Sequence, residues 1–370
     1  MNEKIKVFEA FAGIGTQRMA LRNLGIEYEV VGISEIDRFA LQSYIAIHGE
    51  TQNFGDIFKI NVTDLPDFDL FTYSFPCQDL SIAGKQQGMV KGKTRSGLLY
   101  ECEKIIEAKR PKFLLLENVK NLVGKRFKLD FDKWLNYLET LGYTNYWQIL
   151  NAKDYNIPQN RERVFVVSIL GEHEPYNFPK AKTLQWCLGD FLEPLVDEKY
   201  FMERPFQLLD KPIKEVNIIQ EVGFLPYQNH QLKQHQSDTV YQIGDINPTL
   251  GATDYKNPTK IVVPNIVQVA LLKDVVFNQS ANVQGVQGCA RTICARDWKD
   301  PQRVLIESES GYRVRKLTPL ECWRLMGFSD EDYFKAKNSG ISNTQLYKQA
   351  GNAIVVPVLE MIFKNLFIEG

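Results

Sequence analysis

The sequence has no excess of either charge, which removes the simplest argument for a nucleic-acid partner. Its 370 residues include 44 Lys and Arg against 45 Asp and Glu, for a formal net charge of −1. Because phosphate contacts require cations, a DNA-binding surface in this chain must come from local basic patches. The overall composition, 44% hydrophobic and 24% charged, is that of a globular protein, and the length predicts about two domains.

Paired metal ligands and long apolar runs are also missing. The six cysteines include no CxxC pair and the four histidines are scattered, so no metal site is predicted. We expect free thiols, as in a reducing compartment. No apolar run approaches the roughly 20 residues of a membrane span, and the N-terminal stretch passes directly into a strand-like segment without a signal-peptide pattern. These absences predict a soluble cytoplasmic protein that makes no membrane contact.

Short apolar segments alternate with helical ones in the first half of the chain. Strands are predicted at 5–8, 28–33, 69–74, 113–116 and 164–170, and helices at 16–24 and 37–48. This alternation indicates an α/β fold, a parallel sheet with helices on both faces. Ligands bind at the carboxyl ends of such strands, where Glu35, Cys77 and Glu117 stand.

The character of the chain changes after residue 185. Residues 186–314 are rich in Pro, Asn, Gln and short β-like runs, and helices return at 319–326, 345–349 and 355–367. We therefore expect a first domain at 1–185 and a second, smaller, mostly β or irregular domain at 186–314. The last segment, 315–370, is expected to end in a helix that returns to the first domain.

One stretch of the second domain is repeated. Residues 249–258 (TLGATDYKNP) resemble residues 292–301 (TICARDWKDP), and each copy is followed by a basic residue, Lys260 or Arg303, and an apolar strand. The copies are either two ordinary hairpins with the same turn chemistry or two loops that present an acid, an aromatic ring and a lysine to DNA. The sequence leaves both readings open.

A glycine turn follows the first strand. The sequence Phe11-Ala-Gly-Ile-Gly15 leads from strand to helix, but the third glycine of a dinucleotide fingerprint is missing. Glu35, 20 positions beyond Gly15, would hold a ribose through both hydroxyls, and Asp56 would hold an adenine amino group. These residues predict an adenosine-containing cofactor, and the alternative is a tight turn without a ligand.

Cys77 lies just beyond the third predicted strand, next to Pro76. A lone cysteine is more often a small buried hydrophobe, whereas a nucleophile needs thiolate character and access. Residues 81–95 follow with three glycines and no acid, as in a basic loop that closes over a nucleic-acid backbone, although a plain solvated loop is the alternative. The candidate DNA contacts in this loop are Ser81, Lys85, Lys91, Lys93 and Arg95.

A carboxylate and two arginines are the remaining candidate site residues of the first domain. Glu117 ends a buried strand, where an acid is costly unless it is paired or functional. Arg161 and Arg163 alternate onto one face ahead of another buried strand, and Glu117 could be their partner. A structural ion pair and a catalytic acid beside cations are both compatible with this pattern.

Together these segments resemble the bacterial DNA cytosine-C5 methyltransferases of type II restriction–modification systems. Six motifs occur in the order of that family, and they span residues 8–185 and 313–370. Thr16 departs from the pattern, because many members have another glycine there. The six matching segments are 11–15, 75–78, 117–119, 159–163, 315–328 and 345–355.

The resemblance implies a Rossmann-like methyltransferase sheet and a target-recognition role for 186–314. S-adenosylmethionine would be the methyl donor, leaving S-adenosylhomocysteine, and double-stranded DNA the substrate. Cys77 would add to C6 of a flipped-out cytosine and the methyl would pass to C5. Glu117 would engage N3 and the exocyclic amine, and Arg163, with Arg161, the O2 side.

The resemblance also implies contacts for the cofactor and for DNA. Phe11 and Ile36 would flank the adenine, and Asn352 would help to fix the nucleophile loop. Residues 291–316 hold seven basic and four acidic side chains, and Arg296, Lys299 and Arg303 are the candidates for DNA contact there. The cofactor-binding set is Phe11, Ala12, Gly13, Gly15, Glu35, Ile36, Asp56, Ile57, Pro76 and Asn352.

Three rival functions differ in substrate or in chemistry. A tRNA cytosine methyltransferase of the same family would keep the chemistry, but the second domain favours DNA. A nucleotide-cofactor oxidoreductase would leave Cys77 and the arginines unexplained. An inactive DNA-binding homologue would not need the full set of motif residues. The family further implies a monomer in the bacterial cytoplasm, and it allows for a cognate restriction endonuclease acting on the same site.

Overall fold

The structure is a computed structural model, and one large sheet dominates it. It describes 4–75, 98–201, 290–299, 301–308 and 311–369, together with the short strands 206–208, 219–224, 239–243, 260–262, 270–272 and 283–284. The strands of the first half are β1 (Ile5–Ala10), β2 (Tyr28–Ser34), β3 (Leu70–Tyr73), β4 (Phe113–Val119), β5 (Tyr143–Asn151), β6 (Gln159–Asn160) and β7 (Glu162–Leu170).

Helices cover this sheet, and the C-terminal helices complete the fold. The helices are α1 (Thr16–Asn23), α2 (Arg38–His48), α3 (Leu99–Lys109), α4 (Lys128–Thr140), α5 (Pro319–Arg324), α6 (Asp330–Asn338), α7 (Asn343–Asn352) and α8 (Val356–Phe367). The predicted strands and helices of the first half are all present, with ends that differ by up to three residues. The sequence analysis missed α3, α4, α6 and β5.

The order of the large sheet is β2-β1-β3-β4-β7-β5. Strands β2, β1, β3 and β4 are parallel, but β7 runs antiparallel to both of its neighbours. The predicted parallel sheet is therefore wrong for β7. The cause is the short connection between β5, which ends at Asn151, and β7, which begins at Glu162. Two neighbouring strands can be parallel only if a crossover of a dozen or more residues joins them, so β7 runs antiparallel to β5.

Each face of the sheet buries its own apolar layer. Alternation along β1 places Val7 in one cluster, with residues of α1 and α8, and Phe8 in the other, with residues of α3 and α4. Helix α8, at the end of the chain, packs against α1, near its beginning. The stretch Asn343–Phe367 is long and apolar enough to cross a membrane, but half of it is buried inside the fold, as in a core helix.

The middle of the chain forms small separate sheets. Its strands are β8 (Phe206–Leu208), β9 (Ile219–Phe224), β10 (Thr239–Ile243), β11 (Lys260–Val262), β12 (Ala270–Leu272), β13 (Val283–Gln284), β14 (Ala290–Arg291), β15 (Arg303–Ser308) and β16 (Gly311–Lys316). They pair as β9–β10–β11, β8–β12 and β13–β15–β16. The division of the chain into a domain at 1–185 and a second domain at 186–314 stays a prediction.

The end of this middle segment docks on the first domain through β6. Strand β14 pairs in parallel with β6, and the Gln159 side chain accepts from the Ile293 N–H at 3.0 Å and donates to the Leu325 carbonyl at 2.7 Å. A short 3-10 helix, Ala295–Trp298, then packs on α7. A Cβ at Gly351 would lie 2.0 Å from the Ala295 nitrogen, so the two backbones touch there. We call this contact the junction.

The junction contains the second copy of the repeated stretch. Residues 292–299 contact α7 instead of standing apart as a hairpin loop, while Trp298 stays 36% exposed. The first copy, 249–258, lies outside the described residues.

A buried polar network supports the glycine turn from below. Glu9 of β1 is fully buried, and its carboxylate accepts from the Tyr44 hydroxyl at 2.6 Å and from the Arg18 N–H at 3.2 Å. The N-cap residue of α1 is Gly15, which has no side chain to accept hydrogen bonds from the first N–H groups of the helix. Glu9, on strand β1, accepts the bond from the Arg18 N–H instead. Burial raises the pKa of Glu9 to about 7, against the opposing effects of Tyr44 and Arg18.

Replacement of Gly351 by alanine should loosen the junction. The added Cβ meets backbone atoms of Cys294 and Ala295, so one chain must shift, at a cost of about 1–3 kcal/mol. We expect amides of 290–299 to exchange hydrogen at least about fivefold faster than in the wild type. Gly25→Ala is the control, because nothing lies within 4 Å of its Cβ, so it adds only the strain of a side chain at a φ of 65°, remote in sequence from the junction. Equal protection of 290–299 in both variants would contradict the packing described.

Glu9 should make stability fall as the pH rises. Its folded pKa of about 7 exceeds the ordinary value of 4.5, so its contribution is complete below pH 4.5 and is lost as the pH rises through 7. Glu9→Gln is neutral throughout, so relative to this variant the wild type should lose about 3 kcal/mol of unfolding free energy between pH 4.5 and 8. Burial lowers the pKa of His48 to about 3, which acts in the opposite direction but is common to both proteins. Parallel stability curves from denaturant titrations would show that Glu9 is not the titrating group.

Candidate active site

An acid and an arginine meet at the carboxyl end of β4. The antiparallel register pairs Glu117 with Phe165 and Val119 with Arg163, so these side chains share one face of the sheet. The Arg163 Nε lies 3.2 Å from the Glu117 Oε1, and the two side chains are 18% and 11% exposed. The expected partnership of Glu117 with an arginine is thus present at the carboxyl end of β4.

Two effects shift the pKa of Glu117 in opposite directions. Burial is the larger one and raises the pKa of the Glu117 carboxyl, while the positive charges of Arg163 and Arg161 act to lower it. The net result is a pKa above the ordinary value of 4.5. A carboxyl in this position can carry a proton closer to neutral pH than an exposed one, which suits a group that exchanges a proton with a ligand.

Neighbouring residues bring the chain that leads to Cys77 to the same edge. Strand β3 is parallel to β4, and Phe75, just beyond its end, is buried. The Asn118 side chain donates a hydrogen bond to the Phe75 carbonyl at 3.1 Å. Asn118 adjoins Glu117, so the main chain two residues before Cys77 is tied to the strand end that carries the acid.

Arg161 is held differently from Arg163. Its guanidinium is buried and donates to the carbonyls of Ile293 at 2.8 Å, Gly351 at 3.2 Å and Ala353 at 2.8 Å. These acceptors belong to the middle segment and to the end of α7. The structure therefore assigns Arg161 to the junction, and its charge reaches Glu117 from there.

The glycine turn has the backbone shape expected of a ligand cradle. Phe11, Gly13 and Gly15 have φ angles of 56°, 58° and 77°, a left-handed conformation that glycine adopts easily and phenylalanine does not. A Cβ at Gly15 would clash with His48 and Tyr44, so that position needs glycine for space as well. A Cβ at Gly13 would meet nothing nearer than 4.0 Å, which leaves open space in front of the turn.

Glu35 joins this turn to the end of β2. Its carboxylate accepts from the N–H groups of Gly13, Ile36 and Asp37 at 2.8, 2.7 and 2.7 Å. Burial raises the pKa of Glu35, and these hydrogen bonds oppose the shift. A carboxylate has about four acceptor positions, so roughly one is left for a ligand hydroxyl. This is fewer than the two ribose hydroxyls expected from the sequence.

Exposed apolar side chains flank the turn. Ile36 is 76% exposed at the end of β2, and Phe58 is 55% exposed. Asp56 caps the 3-10 helix Ile57–Lys59 by accepting from the Phe58 N–H, which fixes its carboxylate at the start of that short helix. Apolar surface, a carboxylate and an open glycine backbone are what an adenosine group requires, so the residues fit such a cofactor.

The remaining predicted site residues are buried, exposed or outside the described part of the chain. Ala12 and Ile57 are buried and Asn352 is exposed at the end of α7. Lys299 is exposed, whereas Arg303 is only 5% exposed in β15 and so is packed in the protein and not open to DNA. Pro76, Cys77, Ser81, Lys85, Lys91, Lys93, Arg95 and the side chain of Arg296 lie outside the described residues.

Two residues of the site were missed by the sequence analysis. Asn118 holds the Phe75 carbonyl, and its position next to Glu117 was the available signal. Asn53 accepts from the Glu35 and Gly55 N–H groups at 3.1 and 3.0 Å and donates to the Glu35 carbonyl at 3.0 Å. An asparagine two residues before a glycine is a common turn signal, but nothing in the sequence ties it to Glu35.

Among solved structures, the whole fold is similar to the Dnmt2 methyltransferase of Schizosaccharomyces pombe. The TM-score is 0.67 at 16% identity, and 99% of each chain is covered. A putative DNA modification methyltransferase from a prophage of Escherichia coli gives a TM-score of 0.61 at 17% identity, with 98% of this chain and 99% of that one covered. At these identities the likeness establishes the fold, a Rossmann-like methyltransferase sheet.

Sequence relatives and a family model agree over nearly the whole chain. Type II methyltransferase M2.ScrFI of Lactococcus lactis subsp. cremoris is 40% identical, with 98% of this chain and 99% of the relative covered. Orphan methyltransferase M.SPBetaI of Bacillus phage SPbeta is 33% identical, with 98% and 97% covered. The model for C-5 cytosine-specific DNA methylases matches residues 5–368. The chain belongs to this family and is a DNA cytosine-5-methyltransferase.

Proposed function

We propose that this enzyme flips a target cytosine out of double-stranded DNA and methylates its C5 carbon at the edge formed by β3, β4 and β7, with Cys77 as nucleophile. The observation that carries the proposal is the hydrogen bond from Asn118 to the Phe75 carbonyl. Two residues of chain span at most about 7 Å, so Cys77 is tethered near the strand end that carries Glu117 and Arg163.

Addition of the Cys77 nucleophile makes C5 of cytosine reactive. C5 of cytosine is a poor nucleophile, and the Cys77 thiolate adds to C6, forming an S–C bond and moving electron density to C5. C5 would then form its new bond to the methyl group, whose bond to the sulfur of the donor would break and leave S-adenosylhomocysteine. Removal of the C5 proton restores the ring double bond and expels the thiolate, so the enzyme is regenerated without a redox partner.

Glu117 and Arg163 stabilise the ring during addition. Addition at C6 increases the basicity of N3, and a Glu117 carboxyl whose pKa burial has raised supplies a proton there. Arg163 lies 3.2 Å from Glu117, so it orients the carboxyl and places a positive charge beside the O2 side of the ring. Arg161 acts as a positioning residue, because its guanidinium is engaged by three carbonyls of the junction.

The glycine turn takes S-adenosylmethionine. When bound, that cofactor supplies an electrophilic methyl group. Glu35 binds one ribose hydroxyl with its remaining acceptor position, Ile36 and Phe11 cover the adenine, and Asp56 takes the adenine amino group. The open space at Gly13 lets the backbone approach the cofactor closely. Ala12, Gly15 and Ile57 shape this site from below, and Pro76 and Asn352 border it.

The rest of the chain selects the DNA sequence. Residues 186–314 form the recognition domain, 1–185 the catalytic domain, and 315–370 close the fold on it. The basic side chains of 81–95 and Lys299 contact the DNA backbone. One relative is named a type II methyltransferase and another an orphan methyltransferase. From the type II relative we infer a role in a restriction–modification system, as a cytoplasmic monomer. A cognate endonuclease for the same site would belong to such a system.

The first test is methylation itself. We expect the protein, with labelled S-adenosylmethionine and unmethylated duplex DNA, to place 5-methylcytosine in one short motif, read by sequencing. Cys77→Ser should mark nothing, because its hydroxyl is not ionised at neutral pH. Cys187→Ser is the matched control, a partly exposed thiol beside a short 3-10 helix, and should mark the same motif. Methylation by Cys77→Ser at the wild-type rate, or of tRNA instead of DNA, would refute the proposal.

The pH profile tests the role of Glu117. The protonated carboxyl is the active form, so single-turnover rates should fall as the pH rises through its pKa. The positive charge of Arg163 lowers that pKa, so Arg163→Met should move the falling limb to higher pH while also reducing the rate. Glu117→Gln should reduce the rate by about 10²–10⁴ and remove the limb. A limb unchanged in both variants would assign the titration to another group.

A further inference from the structure

Two lysines from different parts of the chain meet at one tryptophan. Trp298, the last residue of the 3-10 helix in the junction, is 36% exposed. The Lys299 ammonium lies 5.3 Å from the centre of its ring, and the Lys348 ammonium lies 5.1 Å from it. Lys299 belongs to the middle segment and Lys348 to α7. We call these three residues the lysine–tryptophan cluster.

The two ammonium groups repel each other. They share one ring, so they are at most about 10 Å apart, which does not exceed the screening length of about 10 Å at 0.1 M salt. Neither forms an ion pair with any residue that the structure describes, in contrast to Lys335, which pairs with Glu331. The indole face attracts and orders both cations but leaves their repulsion uncompensated.

Asp297, the described acid next to Trp298 in the sequence, already accepts a hydrogen bond from another group. Asp297 accepts from the Cys294 N–H at 3.1 Å and so closes the turn that starts the 3-10 helix. A bound anion would supply the negative charge that the described residues do not place between the lysines.

The cluster stands beside the candidate active site. Lys348 lies one helical turn before Gly351, whose carbonyl accepts from Arg161 at 3.2 Å. Arg161 is two positions from Arg163, which contacts Glu117. An anion between Lys299 and Lys348 would therefore bridge the middle segment and α7 close to the edge where the cytosine is to be methylated.

We propose that the lysine–tryptophan cluster binds a phosphate of the DNA backbone, held by Lys299 from one side of the junction and by Lys348 from the other. The inference rests on the proposed function, because it takes duplex DNA as the substrate. A phosphate neutralises the two ammonium groups that Trp298 has already ordered. Such a contact positions the duplex and carries no base information. It also assigns a DNA-facing role to the exposed aromatic–lysine pair of the second repeat.

The salt dependence of DNA binding tests this directly. Affinities are measured between about 50 and 200 mM salt on two unmethylated duplexes, one with the methylated motif and one of unrelated sequence. The proteins are the wild type, Lys299→Gln, Lys348→Gln and the double variant. Lys4→Gln is the matched control, because Lys4 is also exposed and makes no ion pair within the described residues. Lys4 precedes β1 and so lies at the amino ends of the parallel strands, away from the candidate active site at their carboxyl ends.

Because the two lysines share one phosphate, the double substitution should reduce the slope of log K against log salt by about 0.9, and each single substitution by no more than that, equally on both duplexes. Lys4→Gln should keep the wild-type slope and the wild-type methylation rate. If the wild type methylates DNA but the double variant keeps its slope, the lysines merely pack on the ring and the inference is overturned while the proposed function stands. If the wild type does not methylate DNA, the proposed function fails and this inference with it.

Discussion

The register of β7 against β4 is the constraint on which the rest of the site depends. It pairs Val119 with Arg163, and so brings the guanidinium to the Glu117 carboxyl. A slip of one residue would send Arg163 to the other face of the sheet, because side chains alternate along a strand. The direction of β7 matters equally, since a parallel strand would start at the opposite edge.

The same part of the chain holds the end of the middle segment. Strand β6 pairs with β14, and Arg161, which lies between β6 and β7, binds carbonyls on both sides of the junction. Arg161 and Arg163, which contacts the acid, are two positions apart in the sequence. The contacts that hold the junction and the contact with Glu117 therefore come from one short stretch of the chain.

The parts of the fold set by local pattern could be predicted. Strands β1 to β4 are short apolar runs with clear ends, and the glycine turn between β1 and α1 has a sequence signature. The direction of β7 could not be derived from its own residues, because the length of the preceding connection determines it. Edge strand β5 carries several exposed residues and shows no clean alternation, so its pattern was weak.

Side-chain roles were harder to predict than positions. Arg161 and Arg163 are the same residue type on the same face, and only the carbonyls across the junction separate a positioning residue from one that contacts Glu117. Glu35 was expected to hold both hydroxyls of a ribose, but three N–H groups leave its carboxylate about one acceptor position. Nothing in the sequence indicated a role for Lys348, because Trp298 and Lys299, with which it forms the lysine–tryptophan cluster, are 50 and 49 positions away.

The most direct test of the account is to trap the attack on C6. A duplex that carries the methylated motif with 5-fluorocytosine at the target position has no C5 proton to remove, so Cys77 cannot be expelled after methyl transfer. With S-adenosylmethionine, we predict a stable protein–DNA adduct that peptide mass spectrometry assigns to Cys77, and none with Cys77→Ser. An adduct on any other residue, or methylation of ordinary DNA without a trapped adduct on the fluorinated duplex, would contradict the central claim.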